Sequence, residues 1–417
     1  MSNLDPTPAA DAHWTPHQKW LVGLVALTVV LDGIDNQLLG IVIPTVMGEW
    51  GIPRSSFAPV VSLGYLGMMI GGAAAGMLGD RFGRRTALLG SMLIFGAMTA
   101  AAAGADSVIP FAIARLLAGI GLGGAMPNAA SLAAEYVPAR SRPMAITLVI
   151  VCVTVGGTLA GLLGIRVLPV IGWRGLFLLG GIVPVLVAIA LRWMLPESPQ
   201  FLARQSAVDS SPVAAGRDAA VASLFGPEFR RDTVALWTAF FSCLLSVYLG
   251  FAWLTSLLTG AGFDGATANT GITAFNLGGV VGSLSGGVAI ARFGSKRSML
   301  TMTAVAMAGA VTLALTPMSP ARAVMPLIAM IGVVGAAING VQTALYALAA
   351  HVYPTAIRAT GVGAAVAFGR IGAVLAGYVG SWTIDLGGPA GYFGLIAVMM
   401  LVAFGSLAAV GRHVHQP

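Results

Sequence analysis

Charge is scarce in this chain. Asp, Glu, Lys and Arg together make up 9% of 417 residues, against 57% hydrophobic residues and a mean hydropathy of +0.89. So little polar surface excludes a water-soluble globule of this size. Cysteine is nearly missing as well: Cys152 and Cys243 lie in different halves, inside apolar stretches, and read as reduced packing residues. A Walker lysine is absent, and none of the glycine clusters follows a strand pattern, so the glycines read as helix-packing surfaces and ATP is excluded as the source of work. His413 and His415 have too few partners for a metal site, and no cofactor is expected. The net charge of +7 needs no nucleic acid to explain it once the chain is placed in a bilayer.

What the chain does have is long apolar runs. Stretches without Asp, Glu, Lys or Arg cover 55–79, 86–105, 143–165, 175–191, 233–263, 265–291, 298–321, 323–357 and 386–411. Each is near or above the roughly 20 residues that a spanning helix needs. Three further spans carry charge: one near 20–47, one near 108–134 that contains Arg115, and one near 359–384 that contains Arg370. The expectation is an all-α membrane protein with twelve transmembrane helices. The runs are too long for barrel strands and lack their alternation. The polar stretch 1–18 precedes a run long enough to span, which argues against a cleaved signal peptide.

With the N-terminus inside, sixteen of the 22 Lys and Arg fall on cytoplasmic segments, Arg217 in the central loop among them. Only Arg54, Arg166, Arg174 and Arg322 fall outside, and Arg115 and Arg370 lie in the membrane. The positive-inside rule therefore puts both termini on the cytoplasmic side, and the expected location is a bacterial inner membrane. The longest polar stretch divides the chain into a tail (1–19), a first six-helix bundle (20–195), a linker (196–231), a second six-helix bundle (232–411) and a short tail (412–417). An internal repeat supports two pseudo-symmetric halves. Gly76–Arg85 returns 211 residues later as Gly287–Lys296, and Pro138 and Arg142 are matched by Pro354 and Arg358, 216 residues on. Duplicated halves point to a transporter that rocks about a central site, expected to act as a monomer.

Several motifs make the resemblance specific. Gly76-Met77-Leu78-Gly79-Asp80-Arg81-Phe82-Gly83-Arg84-Arg85 resembles the loop signature between the second and third helices of the major facilitator superfamily. Asp32-Gly33-Ile34-Asp35, the segment Arg115 to Asn128 with Glu135, Pro196-Glu197-Ser198-Pro199, Tyr353 to Gly361, and Gly369-Arg370-Ile371-Gly372 are similar to the aromatic acid:proton symporters within it. The resemblance covers nearly the whole chain. It implies the major facilitator fold, no enzymatic activity, and proton-coupled uptake of a small aromatic carboxylate such as a hydroxybenzoate. Two alternatives stay open: transport of another small organic anion, and export of a drug or metabolite by antiport. The fifth span lacks the Gly-Pro signature typical of exporters in that superfamily, which favours uptake.

The residues supply a physical reading beside the resemblance. Asp32 and Asp35 are one helical turn apart, so both carboxylates are expected to approach one cavity. Intramembrane acids mark ion paths by default, and like charge plus desolvation favours the protonated form, a proton-coupling device. Arg115 heads the spacing Arg115, Gly119, Gly123. The resemblance places it in the substrate and proton pathway, while a fixed salt bridge to Asp32 or Asp35 is an equal possibility. Arg370 has no acid within helical reach and is the favoured clamp for a substrate carboxylate; the alternative is a partner such as Glu135 or Asp385. Glu135 is counted with the coupling acids.

Glu135 also enters an expected inner gate of ion pairs, in which Asp80, Arg84, Arg85 and Arg142 take part and Arg358 is the second-half counterpart. The second loop copy has Ala291 where the first has Asp80, so its gate must be weaker or differently built. Of the aromatic and amide residues in the spans, which include Tyr65, Asn128, Tyr248, Phe275, Asn276 and Tyr378, four are favoured as pocket residues. They are Trp253, Asn339, Gln342 and Tyr346, because polar groups one turn apart tend to face a bundle interior.

Overall fold

The protein is described by a computed structural model covering residues 14–206, 223–321, 323–354 and 357–414. Arg217, Arg322, His415 and most of the N-terminal tail fall outside the described residues.

Helix α1 spans Pro16–Trp50 and starts at a capping box. The Thr15 hydroxyl accepts from the Gln18 amide and the Gln18 side chain accepts from the Thr15 amide, which satisfies two donors that a helix start leaves unpaired. It ends where Gly51 turns left-handed. The first bundle continues with α2 (Ala58–Phe82), α3 (Arg84–Ala102), α4 (Val108–Tyr136), α5 (Arg142–Arg166) and α6 (Leu168–Met194). A short helix, Pro199–Ser206, follows. The second bundle contains α7 (Arg230–Gly260), α8 (Gly265–Phe293), α9 (Ser295–Leu315), α10 (Val324–Val352) and α11 (Arg358–Ala409).

Among the described residues eleven helices are long and apolar enough to cross a membrane, yet they make twelve crossings. Helix α11 has 52 residues, roughly 78 Å at 1.5 Å per residue, well over twice the apolar thickness of a bilayer. It breaks at Gly388 (φ 53°, ψ −142°), just before Pro389, and so makes two spans. The repeated loop is visible in the backbone. Gly83 (φ 94°) and Gly294 (φ 79°), related by the same 211-residue offset, turn the second span of each half into the third through a conformation that a side chain would strain.

Small residues set the packing. Helices α2 and α4 approach so closely that a methyl group on Gly71 would strike the Ile120 carbonyl and one on Gly123 the Met68 carbonyl. Without a hydrophobic drive between helices in lipid, this backbone proximity is what holds such a pair together.

The bundles meet along a seam formed by α1 with α7, α2 with α11 and α5 with α8. One end of the seam is sealed. Gln37 and Asn276 exchange two amide hydrogen bonds (2.7 and 3.1 Å), the Thr255 hydroxyl donates to the Gly40 carbonyl, and Arg54 pairs with Asp385 at 2.8 Å. The other end, which carries the repeated loops and the linker, is splayed: Gly76 and Gly287 are exposed, with open space where a side chain would be.

Candidate functional site

Above the splayed end, between the bundles, lies a cavity of about 740 Å³ counted out to its mouth. Helix α1 contributes Asp32 and Asn36; α2, α4 and α5 contribute Met68, Leu122, Met126, Ile150, Val153 and Thr154. From the second bundle come Leu244, Tyr248 and Phe251 of α7, Ser283 of α8, Asn339, Gln342, Thr343 and Tyr346 of α10, and Val366 and Arg370 of α11. Tyr65, Tyr248, Phe251 and Phe275 form a chain of edge-on rings with successive centroids 4.5, 5.6 and 6.2 Å apart, of which Tyr248 and Phe251 line the cavity.

The two aspartates do not share the cavity. A spacing of three residues turns the second side chain about 60° from the first, and here that suffices to separate them. Asp32 lines the cavity, with one carboxylate oxygen buried and without a hydrogen-bond partner among the described residues. Asp35 points into the first bundle. It accepts from the Thr99 hydroxyl at 2.5 Å and from Arg115 Nη1 at 3.2 and 3.4 Å, with the Arg115 guanidinium 5.8 Å from the Phe177 ring centre. Of the two roles open for Arg115, the geometry shows the salt bridge, and it is with Asp35.

Arg370 has the opposite surroundings. It is half-buried, its Nη1 donates to the Met68 carbonyl across the seam at 2.9 Å, and no carboxylate among the described residues comes within ion-pair distance. Neither suggested partner is near it. Asp385 is held by Arg54, and Glu135 accepts from the Ser198 hydroxyl.

Of the four favoured pocket residues, Asn339, Gln342 and Tyr346 line the cavity and Trp253 does not. Trp253 is fully buried, with its indole N–H given to the Ala376 carbonyl at 3.0 Å, and it locks α7 to α11. A large ring with one polar tip packs well between helices, and its sequence neighbourhood carries no sign of which side it takes. Tyr378 is exposed on the outer face.

The expected gate is only partly assembled. Asp80, at the end of α2, pairs with Arg84, at the start of α3, across the Gly83 turn at 2.5 Å. Arg85 donates to the Leu195 carbonyl at 3.0 Å and lies 4.0 Å from Glu197. Glu135 meets Ser198 and the Gln200 amide (3.4 Å), whereas Arg142 is exposed and forms no ion pair with it. Arg358 donates to the Tyr353 carbonyl at 3.2 Å. None of these contacts joins the two bundles, because the end that such a gate would close is open in this conformation. Sequence reasoning missed Gln37, Asn276, Arg54 and Thr255 as the seal, although Gln37 directly follows the Asp32–Asn36 motif on α1.

Two six-span bundles around a central cavity that holds one acid and one uncompensated cation define a polytopic membrane transporter, not an enzyme. The model of the Major Facilitator Superfamily matches residues 25–341 and, in a second overlapping match, 261–417. The chain is 35% identical to the gallate transporter of Pseudomonas putida, covering 95% of this chain and 92% of that one. It is 33% identical to the 4-hydroxybenzoate transporter of Acinetobacter baylyi, covering 98% and 94%. An inward-open structure of the xylose transporter of E. coli superimposes with a TM-score of 0.76 at 17% identity, covering 95% of this chain and 97% of that one, a likeness of fold. The chain belongs to the major facilitator superfamily, and its relatives there include transporters of aromatic acids.

Proposed function

We propose that this protein imports a small aromatic carboxylate across a bacterial inner membrane by proton symport, through alternating access of the central cavity. The observation that carries the proposal is Arg370: a guanidinium in a cavity, satisfied by one backbone carbonyl and facing Asp32 without closing an ion pair. An arginine in that setting offers a planar fork matched to a carboxylate. Tyr248, Phe251 and Tyr346 supply faces and edges for a ring, and Asn36, Asn339 and Gln342 supply groups that hydrogen-bond its substituents. The similarity to gallate and 4-hydroxybenzoate transporters supports the same substrate class.

In this reading Asp32 is the acid that loads and releases the proton, because it alone of the two aspartates reaches the cavity. Protonated Asp32 leaves Arg370 for the incoming carboxylate; once the substrate has left, ionised Asp32 faces Arg370 again and offsets its charge. The Asp35–Arg115 pair holds α1 against α4. Both termini and the linker (196–231) face the cytoplasm, and a single chain is the working unit. The drive is adequate: a pH difference of one unit gives about 1.4 kcal/mol per proton. One proton with one monoanion moves no net charge, so that stoichiometry draws on the pH gradient alone.

Uptake into proteoliposomes under an imposed pH gradient tests this. 4-Hydroxybenzoate should accumulate when the outside is acidic, and aliphatic acids and sugars should not. Equal flux of all three, or indifference to the gradient, would overturn the reading.

A further inference from the structure

A second concave surface lies far from the central cavity, between the first turns of α7 and the last turns of α11. On α7, Arg231, Val234, Ala235 and Thr238 follow an i, i+3, i+4, i+7 pattern and share one helix face, with Arg230 beside them at the helix start. On α11, Gly405, Ser406 and Ala409 are too small to fill the space opposite, which leaves a wide open groove. The groove is charged at its mouth and apolar or small below it, running along the helices toward the middle of the span.

The charge at the mouth is uncompensated. Both arginines are exposed, and neither forms an ion pair among the described residues. The two acids nearest in sequence are engaged elsewhere: Glu228 pairs with Arg412 at 2.7 Å, and Asp232 accepts from the Gly411 amide at 2.7 Å. The helix start is itself closed, since the Arg230 amide donates to the Gly226 carbonyl at 2.9 Å. Backbone donors therefore contribute little, and the recognition rests on the two guanidinium groups.

We propose that this groove holds one anionic phospholipid, with its phosphate against Arg230 and Arg231 and an acyl chain laid along Val234, Thr238 and Ala409. Charge complementarity selects the headgroup, and the apolar floor beneath it selects a lipid over a free anion, which would leave that floor uncovered. The orientation expected from the basic loops puts the mouth at the cytoplasmic leaflet, where anionic lipids attract such basic clusters.

The test reads bound lipid and not flux, so it is independent of the transport reading. The full chain is reconstituted in vesicles of phosphatidylglycerol and phosphatidylcholine, extracted in mild detergent, and its retained lipids are counted by native mass spectrometry. Phosphatidylglycerol should be enriched over phosphatidylcholine about thirtyfold, the ratio expected from two arginines near the surface. R230Q/R231Q should abolish the enrichment, whereas R292Q/K296Q, in a different basic loop, should leave it. Gly405→Leu, which fills the groove and keeps both arginines, should also abolish it, and millimolar glycerol phosphate should not displace the lipid. Equal retention of the two lipids by the unmodified chain overturns the proposal, and so does enrichment that survives Gly405→Leu or yields to glycerol phosphate. The comparison of the two lipids on the unmodified chain decides the matter even if a variant does not fold.

Discussion

Arg115 and Arg370, one in each bundle, are the two arginines set inside apolar spans, and their surroundings differ in every respect that governs a buried charge. The Arg115 side chain is 4% exposed, and its Nη1 donates to both oxygens of Asp35 and to the Thr99 hydroxyl, all within its own bundle. Arg370 reaches across the seam to a single backbone carbonyl and otherwise faces an open cavity. A charge enclosed with its partner cannot bind cargo without first breaking a bond in a low-dielectric interior. A charge satisfied by a neutral carbonyl stays available. The two look alike as isolated arginines in an apolar run; one has a carboxylate at bonding distance and the other, among the described residues, does not.

Breaking the enclosed pair should have the largest effect. Asp35→Asn strands the Arg115 charge, which forms no other ion pair among the described residues, and removing one partner of a buried ion pair costs about 3–5 kcal/mol. The melting temperature of the purified protein should fall sharply. The double variant Asp35→Asn/Arg115→Leu should regain most of the loss, because it removes the stranded charge as well. A single variant as stable as the parent would mean that Arg115 has another partner, and the contrast with Arg370 would collapse.

Arg370→Gln sharpens the same contrast from the other side. Its side chain is half-buried and the one hydrogen bond lost is to a neutral backbone carbonyl, so thermal stability should change by only about 1 kcal/mol. Binding should change more. Losing a hydrogen bond to a charged group costs about 1.5–3 kcal/mol, roughly ten- to a hundredfold in Kd for an aromatic carboxylate. The matching neutral amide should bind almost as before. Equal losses for acid and amide would mean that Arg370 shapes the pocket without holding the carboxylate.

Much of this architecture is legible in the chain itself because its causes are local or periodic. Long runs without charge give the spans, and the repeat at 211 residues gives the two halves, down to Gly83 and Gly294 at the same turn. Even the fused helix Arg358–Ala409 keeps its two spans, with Gly388 and Pro389 at the break. The site is legible in its residue types and less so in its directions. Asp32 and Asp35 differ by one turn, and only the placement of α3 and α4 decides that one faces the cavity and the other Arg115. Trp253 follows the same logic: its indole finds a carbonyl on α11, 123 residues away. The Gln37–Asn276 seal joins residues 239 apart, which no local pattern encodes.

The repeated loops carry the contrast between the halves to their smallest scale. In the first bundle the start of α3 is held by an acid from beyond α6: Glu197 accepts from the backbone amides of Arg85 (2.8 Å) and Thr86 (3.3 Å) and from the Thr86 hydroxyl. In the second bundle the start of α9 is held by the stretch beyond α11, without a carboxylate: the Ser295 amide donates to the Val414 carbonyl (3.0 Å), the Val414 amide donates to the Ser295 hydroxyl (2.9 Å), and the His413 ring lies 3.1 Å from that hydroxyl. The second copy is thus differently built: the segment after the sixth span ties down the third in both halves, through a carboxylate in one and neutral groups in the other. An anion at a helix start contributes about 0.3–1 kcal/mol beyond its hydrogen bonds. Glu197→Gln should therefore speed hydrogen exchange at the Arg85 and Thr86 amides by about fivefold, the equivalent of about 1 kcal/mol of local opening. Ser295→Ala should speed exchange at the start of α9 by only about twofold, because the backbone bond from the Ser295 position to Val414 survives the loss of the hydroxyl. Equal acceleration at the two sites would show that the acid adds nothing a neutral strap lacks.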